Sequence, residues 1–400
     1  MGTNTVLLSL FKQLRERVES EENIRNRLLW DTRPATKEEG WMSTSALPSS
    51  GSKGNFWVFT GNSYWSRRLH LDLKEYFFNA ETFLRANLEM AILHFDDYKD
   101  CSCVSKAINW SPGVATETAL MGVKVSYPSD KDPWESKDPI LDDPAKLEML
   151  EYPDFYISPF MAYVHRMYSE ICEMVDKYAP DFKVNFPSIF RSPFAVACTL
   201  RGMENLLIDM YDNPDFVHRL MSYVTETRIR WEKERAVFLG QKIPAMKIGN
   251  DEVNCPTISP ALYKEFILPY ETKLLKFYGK LDYFHSCGNI TPLLESIKTL
   301  SPTLLHISSW TDLRKAAEIF SGTSTRFEVW VHPAEDVMMA SREHALEKIS
   351  CIARTCSEYK VPGYSIVSGN IQAMDSFEKD DFQIKQWVEV CHKVIKDNFK

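Results

Sequence analysis

No uninterrupted apolar run in this 400-residue chain approaches the roughly 20 residues that a membrane-spanning helix needs, so a transmembrane protein is not expected. The N-terminal apolar run from Val6 to Leu10, followed by Lys12, Arg15 and Arg17, is too short for a secretory signal, and a cytoplasmic location is the expectation. Basic clusters are missing as well. Lys and Arg are scattered and the formal net charge is -8, which excludes a broad nucleic-acid surface. Neither GxGxxG nor GxxxxGK(S/T) follows an early strand-like run, so neither a dinucleotide nor a nucleoside triphosphate is indicated. The cysteines lack the even number and regular spacing of a disulfide framework: there are nine, and Cys172, Cys198, Cys351, Cys356 and Cys391 lie in helical patterns where Cys acts as a small buried hydrophobe.

What is present is the composition of a globular protein, 44% hydrophobic and 26% charged, at a length that (β/α)8 barrels reach with one core. Residues 4 to 30 carry the periodicity of an amphipathic helix, and the stretch from Pro34 to Gly54, rich in Ser, Gly and Pro, reads as a loop. Trp41, Phe56, Trp57, Tyr64 and Trp65 follow closely, as apolar cover that is either a cap packed on the main domain or a substrate lid. The expected division is an N-terminal extension over 1–74 and a main domain over 75–400.

From Ala80 onward, helical patterns alternate with short β-rich runs. The expected strands are Cys103 to Trp110, Lys183 to Ser188, Ala245 to Asn250, Leu281 to His285, Leu304 to Ser308, Phe327 to His332 and Tyr364 to Val367. Segments of helical length lie between many of them, such as Asn213 to Phe238, Ser259 to Tyr278 and Ala334 to Tyr359. This alternation predicts a parallel sheet with helical crossovers. Several runs end in polar or reactive residues, and in a (β/α)8 barrel those ends converge on the active site. The fold class is therefore α/β, a (β/α)8 barrel with an N-terminal helical extension.

The segment Tyr283-Phe284-His285-Ser286-Cys287-Gly288-Asn289 sets an imidazole and a thiol two residues apart at a strand end, where i and i+2 share a face and can grip one ion. Asp251, Glu252 and Cys255 follow another apolar run thirty residues earlier. Zinc accepts mixed N, S and O donors, so His285, Cys287, Cys255 and Glu252 form a reasonable ligand set. Asp251 and Glu252 face opposite sides at the strand end, with Glu252 preferred as the ligand and Asp251 as a supporting or proton-transfer group. His332 is a further ligand or base, or a residue satisfied by the backbone. Trp110, Trp310 and Trp330 either line an apolar mouth or pack the barrel.

The chain resembles the uroporphyrinogen decarboxylase superfamily over roughly residues 75 to 390. The carriers are Arg191-Ser192-Pro193-Phe194-Ala195-Val196-Ala197 with Leu200-Arg201-Gly202-Met203-Glu204-Asn205, then Asp212-Asn213-Pro214, Ile258-Ser259-Pro260 with Phe266, Pro269 and Tyr270, and His285-Ser286-Cys287-Gly288-Asn289. The resemblance implies a (β/α)8 barrel. The Arg-rich motif of the porphyrin decarboxylases has no counterpart, and the region of Arg67-Arg68 is a poor substitute, so the implied branch is the zinc-dependent methyltransferases that act with corrinoid proteins. In that branch His, Cys and a distant Cys bind zinc, but no Cys lies near Ser365 to Asn370, leaving Cys255 or Glu252 to complete the site. The implied activity moves a methyl group between a thiol, methoxyl or amine heteroatom and a corrinoid (cobalamin) carried by a separate protein, since this chain has no Asp-x-His-x-x-Gly signature. The rivals are a metal-free decarboxylase or lyase on the same barrel, and a noncatalytic corrinoid-binding barrel.

Overall fold

A computed structural model describes residues 3–31, 46–51, 54–113 and 115–397. Eight parallel strands form the frame: β1 (Asn55–Thr60), β2 (Ala107–Asn109), β3 (Lys183–Asn185), β4 (Met246–Gly249), β5 (Leu281–His285), β6 (Leu304–Ile307), β7 (Arg326–Trp330) and β8 (Tyr364–Ile371). Six make one sheet in the order β1-β8-β7-β6-β5-β4, and β2 pairs with β3. Two seams join these pieces. At one, the Cys101 amide donates to the Phe56 carbonyl at 2.9 Å, and the Val58 amide to Asp100 Oδ2 at 2.8 Å. At the other, Arg191 bridges Gly249 in parallel, with Gly249 N to Phe190 O at 2.8 Å and Ser192 N to Gly249 O at 2.7 Å. The arrangement is that of a (β/α)8 barrel. Gly249 permits this close passage, because a Cβ there would meet the Phe190 ring at 2.5 Å.

Each expected strand is present, though only Ala107–Asn109 of the first run is regular. The additional strand, β1, lies in the segment read as aromatic cover and on the N-terminal side of residue 74. Its residues are almost all buried because the strand is covered on both faces, and such a strand loses the alternation that marks a half-buried one.

Register separates the two faces. Lys247 aligns with Tyr283, Gly249 with His285, His306 with Glu328, Glu328 with Ser365, and Val367 with both Trp330 and Trp57. With a side-chain period of two, these residues all face the barrel interior. Phe56, Val58, Ile248, Phe284, Leu305, Ile307, Phe327, Val329 and Ile366 face outward and share one apolar cluster with the helices, whereas Trp57, Trp330 and Val367 belong to a separate inner cluster.

The crossovers follow the sequence signals. The helix Pro214–Leu239 starts with proline at its first position and stops at Gly240, whose φ of 60° is a left-handed cap. The expected helix from Ser259 to Tyr278 is interrupted by a π-helical turn at Tyr263–Ile267, just before Pro269, which has no amide hydrogen to continue the regular ladder. A second π-helical turn, Pro333–Met338, follows β7. Among the described residues, no helix is long and apolar enough to cross a membrane.

The N-terminal segment forms the helices Thr3–Val18 and Glu21–Arg27, broken where Ser20 caps the second by accepting from the Asn23 amide. The described residues that follow meet the N-terminal ends of the strands. Arg326, opening β7, pairs with Asp31 and donates to the Pro48 carbonyl at 2.6 Å; Asn55, opening β1, donates to the Leu29 carbonyl; and the Gly51 amide donates to the Pro362 carbonyl before β8. These described residues cap the face opposite the C-terminal ends of the strands. Trp41 and most of the Pro34–Gly54 loop lie outside the described residues.

Candidate metal centre

The strand ends of β4 and β5 bring three donors together. One ligand atom each from Asp251, His285 and Cys287 lies within 4.8 Å of the others. His285 Nε2 is 3.2 Å from Cys287 Sγ and 3.3 Å from Asp251 Oδ1, and the Cys287 amide donates to that same Oδ1 at 3.0 Å. Tetrahedral zinc with Zn–S of about 2.3 Å and Zn–N of about 2.0 Å sets such donors about 3.5 Å apart, so the set suits zinc with small movements. Three protein donors leave a fourth position for substrate, as in catalytic rather than structural sites.

The electrostatics oppose a free thiolate. Burial, then the negative charge of Asp251, pushes the Cys287 thiol far above its usual range. For Asp251, burial alone would raise the carboxyl, although over half of its side chain meets solvent. The hydrogen bond and charge of His285, with the Cys287 amide, outweigh that effect and hold it well below the carboxylate range. A divalent cation would reverse the balance at Cys287.

Glu252 points elsewhere. Its Oε1 pairs with Arg191 Nη2 at 2.6 Å, while its buried Oε2 has no hydrogen-bond partner. Arg191 also pairs with Glu135, which the short hairpin Val125–Ser126 and Trp134–Glu135 delivers to the mouth. Glu117 receives the amides of Phe190 and Arg191. Burial raises the Glu252 carboxyl, and Arg191 opposes that rise. Cys255 also lies outside the three-donor cluster: its Sγ donates to the Ile258 carbonyl at 3.0 Å. His332 caps the π-helical turn after β7 through Nδ1, which accepts from the Glu335 amide at 3.1 Å, and its ring meets Trp310 edge-on at 5.7 Å. Trp330 faces inward against His285 and His306, Trp110 is buried, and Trp310 is exposed.

Beneath the donors lies a polar interior that sequence reasoning did not single out. His285 stacks on His306 with ring centroids 4.1 Å apart and planes 9° apart. The Tyr283 hydroxyl is 2.9 Å from His285 Nδ1 and donates to Glu328 Oε2, which also accepts from Trp330 Nε1 at 3.0 Å. Burial pushes the Glu328 carboxyl up to about 8, and burial followed by the charge of His285 holds the His306 imidazole down. A signal was available. Tyr283 continues backward the same alternation that joins His285 to Cys287, and His306 and Glu328 are polar residues inside apolar strands.

Comparison with known proteins supplies the context. The family model described as Uroporphyrinogen decarboxylase (URO-D) matches residues 62–341, well over half the chain. A stretch of 110 residues is 27% identical to the methylated-thiol–coenzyme M methyltransferase of Methanosarcina mazei, covering 28% of this chain and 29% of that protein. This chain thus matches less than a third of that relative's length. The solved structure of a methyltransferase from Methanosarcina mazei superposes with a TM-score of 0.62 at 15% identity, over 88% of this chain and 96% of that one.

Proposed function

This chain belongs to the uroporphyrinogen decarboxylase (URO-D) family, and from that premise we propose that it is a cytoplasmic, zinc-dependent methyltransferase that moves a methyl group between a small-molecule heteroatom and a corrinoid (cobalamin) on a partner protein. The observation that carries this reading is the convergence of Asp251, His285 and Cys287 at the C-terminal strand ends. The name of the methylated-thiol relative favours the thiol end of a range that also includes methoxyl and amine compounds.

Zinc held by His285 Nε2, Cys287 Sγ and Asp251 would act as a Lewis acid on the substrate heteroatom, favouring a thiolate acceptor or making a donor's methyl group easier to remove. The chain's own residues supply the rest. Cys287 releases its proton on ligation, and Asp251 contributes a carboxylate already ionised at neutral pH. Glu252, raised by burial and with one oxygen unpartnered, is assigned proton exchange with the substrate heteroatom. Arg191 fixes the other oxygen of Glu252. Trp310 and His332 border the mouth on which a corrinoid protein would close.

The test combines metal analysis with turnover. Purified protein is expected to hold about one zinc per chain, and, with methylcobalamin and a panel of thiols or with reduced corrinoid protein and methyl donors, to change the colour of the cobalt centre. Chelation should stop transfer while leaving docking of the corrinoid protein intact. Absence of stoichiometric metal after reconstitution, together with decarboxylation by the metal-free protein, would replace this reading with a metal-free decarboxylase.

A further inference from the structure

We propose that Glu328 and Tyr283 are positioning residues that fix the tautomer of His285, so that its Nε2 lone pair is presented to the metal. The inference rests on the zinc reading above. It begins with Glu328, which is wholly buried on β7 in register with His306 and belongs to the interior layer below the donor cluster.

Hydrogen-bond direction propagates along this chain of residues. Glu328 Oε2 accepts twice, from Trp330 Nε1 at 3.0 Å and from the Tyr283 hydroxyl. A phenol has one hydrogen, and here it is committed to Glu328, whose Oε2 accepts whether the group is ionised or carries its proton on Oε1. The Tyr283 oxygen, 2.9 Å from His285 Nδ1, can therefore only accept, which places the imidazole proton on Nδ1. In the neutral imidazole Nε2 is then left bare, and it is the nitrogen that faces Cys287 Sγ and Asp251 Oδ1; the proton through which a charged His285 bonds Asp251 is the one that a metal replaces. Packing holds the ring plane: His306 stacks on one side, and Trp330 and Phe190 lie at 5.5 Å and 5.8 Å. Metal-binding histidines gain affinity when the other ring nitrogen is held by such a partner. Here a tyrosine stands between the imidazole and the Glu328 carboxyl group, which acts by fixing which way the hydroxyl points.

The variants separate this role from simple packing. Tyr283→Phe keeps the ring against Phe190 and removes the acceptor for Nδ1–H together with one donor to Glu328, which keeps its bond from Trp330 Nε1. Glu328→Met keeps approximate volume but frees the Tyr283 hydroxyl to donate to Nδ1, driving the proton to Nε2. Glu328→Gln keeps an acceptor oxygen and should rescue. Each protein is prepared metal-free and titrated with zinc against a chromophoric chelator, and nitrogen NMR of the imidazoles locates the His285 proton. The expected result is Nδ1–H in wild type and Glu328→Gln, a shift toward Nε2–H in Tyr283→Phe and Glu328→Met, and zinc binding about 10–100-fold weaker in the latter two. Wild-type zinc affinity in Tyr283→Phe, or an Nε2–H tautomer of the neutral His285 ring in the metal-free wild type, would overturn the inference. If wild type takes up no zinc while Tyr283→Phe still moves the His285 proton, the zinc reading fails and the relay stands.

Discussion

Glu271 offers a quantitative test of how the strand end that carries Asp251 is held. Its side chain is wholly buried, accepting from Asn250 Nδ2 at 2.7 Å and from the Tyr263 hydroxyl, so the residue just past β4 is tied to the crossover that follows it. Burial raises this carboxyl from an ordinary 4.5 to about 7. Such a rise disfavours the ionised native state by about 3 kcal/mol, at 1.36 kcal/mol per pKa unit. Below pH 4.5 both folded and unfolded chains hold the proton and the site contributes no penalty. Between 4.5 and about 7 the unfolded chain releases it first, so stability falls as pH rises, and above about 7 the loss is complete. Carboxyls held low act in a different window: Asp181, hydrogen-bonded to Arg15, lends stability that is lost only below 3.8. Glu328, raised to about 8, overlaps the Glu271 window, so the variant difference is the clean quantity.

Glu271→Gln keeps an oxygen for Asn250 and an amide that can donate to a rotated Tyr263 hydroxyl. Urea unfolding should find it close to wild type at acidic pH and more stable by about 3 kcal/mol at pH 8. A difference that does not change with pH would mean that the carboxyl is ionised in the native state without cost, and would refute the argument.

X-ray absorption at the zinc edge should show one sulfur neighbour at about 2.3 Å, because Cys255 donates to Ile258 outside the cluster; two sulfurs would restore Cys255 as a ligand. His285→Ala and Cys287→Ser should each lose most of the metal with the fold retained, since barrel stability resides in the packed core, while Cys255→Ala keeps it. Loss of the folded state in the first two variants would make the site structural. Arg191→Met strands Glu135 and Glu252 together in the mouth and should cost about 3–5 kcal/mol in urea unfolding at neutral pH. A cost below about 1 kcal/mol would show that solvent reaches this network freely.

The strand-and-helix alternation, the polar strand ends and the His285-x-Cys287 pair were legible because they depend on local periodicity. A residue and its second neighbour share a face in any strand, whatever the strand pairs with. Strand β1 was not legible, because a strand covered on both faces has no alternation, and its aromatics read equally well as a cap. The choice between Asp251 and Glu252 was also open. Adjacent residues face opposite ways, but which one faces inward depends on the alignment of Gly249 with His285, a pairing between strands whose partners no local pattern specifies.

The amino-acid sequence by itself determined the class of fold, the succession of its strands apart from β1, and the pair of soft and borderline donors at the end of β5, since these are properties of spacing and residue type. Tertiary structure alone decided that Asp251 joins them, that Arg191 draws Glu252 away, and that Tyr283 and Glu328 stand behind His285. Those groups come from β5, β7 and the segments that follow β3, β4 and β5. Their convergence is set by the register and closure of the barrel, which are fixed by contacts between residues far apart in the chain.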